Sequence, residues 1–128
     1  MFSETLSPTA VTARVGVEAT DRQVKGDLRR RGGRSTPAVR HRWTWAPDDK
    51  VERLVDPQLD AIWGALGSRS EAFSALPAEA KVSLSICIVH HGAELSLGWV
   101  LDRRHVRTAA AFAASIDVDE YNETGRDA

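Results

Sequence analysis

Strict alternation from Val82 to Ile88 constrains this chain more than any other feature. Val82, Leu84, Ile86 and Ile88 fall on one side of an extended segment, with Ser83, Ser85 and Cys87 on the other. That is the period of a strand covered on one face. His90-His91-Gly92 has turn character, and Leu95, Leu97 and Trp99 resume the alternation. Two such runs joined by a short glycine-containing connection predict a β-hairpin. A lone hairpin is at best marginal in water, so the rest of the chain has to cover its apolar face.

Helical spacing supplies the cover. Ser7-Pro8 is a cap followed by the one helical position that tolerates a missing N–H, and Gly16 falls where a left-handed terminal residue is wanted. Asp56-Pro57 repeats the signal, with Leu59, Ile62, Trp63 and Leu66 on one stripe. Gly67 and Ser68 interrupt it, and a second short piece carries Phe73 and Leu76 before Pro77. Asp102 caps a further helix in which Val106, Ala109, Ala110 and Ala113 share a face. Two more strands are predicted. One runs from Arg42 to Pro47 with Trp43 and Trp45 on one side. The other runs from Ser115 to Tyr121, with Ile116 and Val118 opposing Asp117, Asp119 and Tyr121. The expected architecture is α+β: a two-layer sandwich, its antiparallel or mixed sheet of four to five strands covered by helices on one face. At 128 residues the chain is read as a single domain, 1–128, with residues 17–42 a basic, glycine-containing loop and 122–128 a polar tail.

The order of these pieces resembles the bacterial family catalogued as domain of unknown function 4279. The matching motifs are Leu6-Ser7-Pro8, Val15-Gly16-Val17-Glu18, Lys25-Gly26-Asp27, the Trp43 strand and the closing Ser115-Ile116-Asp117-Val118-Asp119-Glu120-Tyr121. The resemblance implies a compact α+β fold and brings no activity, cofactor or catalytic residue with it. It also implies a strand ahead of the Ser-Pro helix. Met1 to Leu6 leave room for no more than a stub through Phe2, so one of two expectations follows. Either upstream coding sequence continues that strand, or an unpaired edge pairs with a second copy.

Composition narrows the compartment. The single cysteine, Cys87, cannot form an internal disulfide, and no run approaches the ~20 apolar residues of a membrane span. The start has no basic, apolar signal-peptide pattern. A cytoplasmic protein is expected, from a GC-rich bacterial genome, given 14 arginines against three lysines.

Charge is where function could sit. Eight basic side chains and one acid, Asp27, lie between Arg22 and Arg42, a surplus of seven. The remainder carries nine bases and seventeen acids, although the whole chain has a net charge of only −1. Arg29, Arg30, Arg31 and Arg34 could grip phosphates or nucleic acid, with Trp43 and Trp45 beside them if exposed, although tryptophans of this size belong first to the core. Equally, the arginines could form a solvated loop. Asp117, Asp119 and Tyr121 share one strand face, with the carboxylates ~7 Å apart. Such a pair could do acid–base work or serve as a solvated edge. No Ser-His-Asp or Cys-His arrangement emerges, and Cys87 reads as a small packed residue. His90 and His91 point oppositely on an extended chain; His41 and His105 could approach only through the fold. No metal site, cofactor or catalytic residue is assigned. Three readings stay open. The leading one is a non-catalytic module binding another protein. The others are a nucleic-acid or anionic-ligand binder through residues 22–42, and an enzyme with a carboxylate site at Asp117 and Asp119.

Overall fold

Serine ahead of proline starts the first helix as its chemistry requires. In the computed structural model, which describes residues 1–92 and 100–122, the Ser7 hydroxyl accepts a hydrogen bond from the Ala10 amide at 3.2 Å. Helix α1 (Pro8–Val15) then closes on Gly16 at φ 71°. That left-handed backbone is what favours glycine at position 16; a Cβ there would meet only the far end of the flexible Arg69 side chain, at 3.0 Å.

Strand β1 (Phe2–Ser3) is the stub expected before this helix. The Ser3 hydroxyl accepts from the amides of Thr5 and Leu6, which turns the chain and limits the strand to two residues. β2 (Asp21–Gln23) leads into β3 (Leu28–Arg31), and β4 (Arg34–Pro37) returns into β5 (His41–Thr44). β5 sits between β1 and β2, antiparallel to both.

Helix α2 (Val55–Leu66) starts one residue ahead of the expected Asp56 cap. Leu54 occupies the cap position without a side-chain bond, and Asp56 falls in the first turn. A 3-10 turn (Gly67–Arg69) joins it to α3 (Ser70–Ala80). α3 continues through Pro77 rather than stopping before it; one missing N–H near a helix end costs a single backbone bond, and Phe73 and Leu76 are deeply buried. α4 (Arg103–Ala111) is capped by Asp102, whose carboxylate accepts from the Arg104 amide at 2.8 Å. Its buried stripe is His105, Ala109 and Phe112, not the expected Val106, Ala109, Ala110 and Ala113. Val106 is exposed, and Ala113 adopts φ 54° just past the helix.

The alternating run becomes β6 (Ser85–Gly92), which passes straight through His90-His91-Gly92 where a turn was expected. Its partner is β7 (Ser115–Asn122), in parallel register from Ser85↔Ser115 to Gly92↔Asn122. Parallel pairing needs a crossover, and α4 lies in it. Leu95, Leu97 and Trp99, the expected second arm of the hairpin, lie outside the described residues. Asn122, expected to open the polar tail, belongs to β7, and residues 123–128 lie outside the described residues.

The α+β class is as expected, but the strands form sheets of three, two and two rather than one of four or five. A single bridge joins the first sheet to the last: Phe2 and Ser83 exchange two backbone hydrogen bonds of 2.9 Å. β1 is thus paired on both sides, and its shortness keeps that junction to one residue pair.

The helices meet the sheet along a row of rings. Trp43 packs edge-on to Phe73 at 5.7 Å, Phe73 on Phe112 at 5.4 Å, Phe112 on Trp63 at 5.5 Å, and Trp63 on His105 at 6.4 Å. Val11, Val15, Leu66, Leu76 and Val82 fill the spaces around it. Ile86 and Ile88 are only half-buried, so the core centres on the helices rather than on the alternating strand.

Candidate functional site

The basic segment is ordered. β2 pairs with β5 as Asp21↔Thr44, Arg22↔Trp43 and Gln23↔Arg42, and β3 pairs with β4 from Leu28↔Pro37 to Arg31↔Arg34. Both ladders keep the same register, so they are the near and far ends of one long antiparallel arm. Residues 17–42 were expected to form a loop because their glycines suggest flexibility. Instead Gly32 and Gly33, at φ 57° and 78°, form the two-residue turn that right-twisted strands require. At the waist Asp27 ties the strands together: its carboxylate accepts from the Val24 amide, and its carbonyl from Ala38 at 2.8 Å. His41 Nδ1 accepts from the Lys25 amide at 2.9 Å.

Beyond the waist the arm projects as a two-stranded ribbon. Directly paired residues share a face, so Arg29, Arg31, Arg34 and Thr36 lie on one side and Leu28, Arg30, Ser35 and Pro37 on the other. Leu28 is 74% exposed and Val39, at the base, 77%. The side chains of Arg29, Arg30, Arg31 and Arg34 have no hydrogen bond or ion pair among the described residues. Their neighbours differ: the Arg40 guanidinium lies 3.9 Å above the Phe2 ring, and Arg42 pairs with Asp21 at 2.7 Å. The body uses Arg40 and Arg42 and leaves the ribbon's four arginines to solvent.

Trp43, read as a core residue with a binding surface beside the arginines as the alternative, is core: it is 5% exposed. Its indole N–H donates to the Thr12 hydroxyl at 3.1 Å, so both its area and its polar atom are used by the core. Trp45 is half-buried against the same cluster. Asp117 and Asp119 are exposed on the outer face of β7, opposite Cys87 and Val89 in register. Tyr121 pairs with His91, and its side chain lies outside those described. Cys87 is exposed rather than packed. No hydrogen bond or ion pair among the described residues joins the arginine group to the carboxylate group.

Sequence reasoning missed a polar cluster between α2 and α4. His105 is wholly buried; its Nδ1 accepts from the Trp63 indole at 2.9 Å, and its Nε2 lies 2.8 Å from an Asp56 oxygen. An indole nitrogen only donates, so Nδ1 carries the lone pair and Nε2–H donates to the carboxylate. Alongside, Arg104 engages both oxygens of Asp60. Its hydrogen bonds and charge hold the Asp60 carboxyl below the usual range, and Asp60 in turn raises the Arg104 guanidinium. With both ring nitrogens engaged by α2 side chains, this cluster clamps the two helices together. The clue was the i, i+4, i+7 spacing of His105, Ala109 and Phe112.

An indentation lined by Met1, Phe2, Leu6, Pro8, His41 and Trp43 holds about 150 Å³, against the ~300 Å³ at which ligand pockets begin. Among the described residues no group of three His, Cys, Asp or Glu side chains is arranged to hold a metal ion, and no helix is long and apolar enough to cross a membrane.

No curated protein and no solved structure matches the chain. A family model does match, over residues 1–123, and the chain belongs to that family, described as domain of unknown function DUF4279.

Proposed function

We propose that this chain is a non-catalytic interaction module that binds another protein through the arginine ribbon. One observation carries the reading: four ordered arginines whose side chains have no partner among the described residues share a short ribbon with two large apolar side chains left exposed, Leu28 on the face of Arg30 and Val39 at the ribbon's base. Arginine beside exposed apolar surface is the composition of protein interfaces. A phosphate backbone would engage the arginines and leave Leu28, Pro37 and Val39 in water. The surplus of seven positive charges between residues 22 and 42 favours an acidic partner and speeds encounter with it. In the same reading the protein works in a reducing bacterial cytoplasm, where an exposed lone thiol persists.

The test uses paired baits, the intact chain and a variant with Arg29, Arg30, Arg31 and Arg34 replaced by alanine, against a partner purified and identified by mass. Binding is expected to fall at least tenfold in the variant and in ~500 mM salt, where charges are screened beyond ~4–5 Å. Equal retention by both baits would overturn the proposal.

A second reading is favoured by shape. A two-stranded ribbon fits a DNA major groove, and three arginines on one face suit phosphates. A mixed-sequence nucleic-acid pool at ~50 mM salt decides it, since phosphate contacts are strongest there. We expect no binding; salt-sensitive retention that the alanine variant loses would make this the function instead.

A further inference from the structure

We propose that the partner of the ribbon is a second copy of this chain, docked by the outer face of its β6–β7 pair; the inference rests on the reading of the ribbon as the contact element. The two surfaces are complementary in sign. Arg29, Arg31 and Arg34 share one ribbon face, while Asp117 and Asp119 share the outer face of β7 with Cys87 and Val89, the latter 51% exposed.

They are complementary in spacing too. Arg29 and Arg31 are two residues apart on a strand, as are Asp117 and Asp119, so each pair sits ~7 Å apart. Neither set has an ion pair within its own chain among the described residues. Charge segregation adds to the match, because residues 22–42 carry a surplus of seven positive charges and the remainder a deficit of eight. Val89 and Cys87 supply exposed apolar surface beside the carboxylates, on the neighbouring strand. Each copy carries one ribbon and one acidic face, so two reciprocal contacts close a dimer; a single contact would leave free ends and grow fibres.

Sedimentation of the full chain at ~50 mM and ~500 mM salt reads the assembly directly, since the Debye length shortens about threefold between them. A concentration-dependent dimer is expected at low salt, at least tenfold weaker at high salt. Two charge reversals, Arg29→Glu with Arg31→Glu and Asp117→Lys with Asp119→Lys, should each give a folded monomer, with an unchanged circular-dichroism spectrum and a thermal midpoint that no longer depends on protein concentration. Mixing the two variants should restore the dimer, because each then offers what the other lacks. A monomer at every concentration of the unmodified chain would overturn the inference. So would a dimer indifferent to either reversal, mixed variants that stay apart, or species larger than a dimer. If the chain is monomeric while the ribbon alanine variant still loses a different purified partner, self-association falls and the proposed function stands.

Discussion

The arginine ribbon and the α2–α4 clamp treat polar side chains in opposite ways. In the clamp, His105 is wholly buried with both ring nitrogens engaged, and the Trp43 indole in the adjoining core also has its acceptor. In the ribbon, four arginine side chains project without partners among the described residues and Leu28 stands in water. Buried polar groups that lose a partner cost ~1–3 kcal/mol each, whereas exposed charges cost almost nothing to leave alone. The difference separates residues that hold the fold from residues that the fold holds out.

The largest expected effect breaks the clamp's side of that contrast. Phe73 touches both Trp43 and Phe112 in the ring row. Phe73→Ala should cost about 3–5 kcal/mol, read from denaturant unfolding. A loss below ~1 kcal/mol would show that the row is not the core.

His105→Ala comes next, at about 2–4 kcal/mol, since it opens a cavity and strands the Trp63 N–H. Nitrogen-15 shifts of the unmodified protein should show His105 with its proton on Nε2. A proton on Nδ1 would contradict the Trp63 hydrogen bond.

How much of this was legible follows from the range of each interaction. The Ser7 cap, Gly16 and the Asp102 cap depend on neighbours within four residues, and each reads directly from the chain. The β6–β7 pairing does not, because parallel partners lie thirty residues apart and the local glycine after His91 mimics a turn. His105 escaped because its partners are 42 and 49 residues away and its own type is polar. The ribbon was misread for a different reason. Gly32 and Gly33 signal a hairpin turn as readily as a loose loop, and arginines lack the apolar alternation that marks a strand. The candidate arginines and aspartates were visible in the sequence; that they occupy opposite charge-matched strand faces was not.

A smaller effect sharpens the contrast through pH. The folded-state carboxyl of Asp60 lies below its ordinary value near 3.8. Its pairing with Arg104 therefore contributes stability above that value and loses it as pH falls through the folded-state value. Asp60→Asn should narrow its gap from the unmodified protein only below about pH 4. A gap constant down to the acid transition would show that the pair contributes nothing.

The smallest expected effect on stability tests the central claim most directly. Replacing Arg29, Arg30, Arg31 and Arg34 together by alanine should leave the denaturant unfolding curve within about 0.5 kcal/mol of the unmodified protein, as for exposed positions away from packing. A loss beyond ~2 kcal/mol would place these arginines among the residues that hold the fold, and the ribbon would lose its standing as a surface kept for a partner.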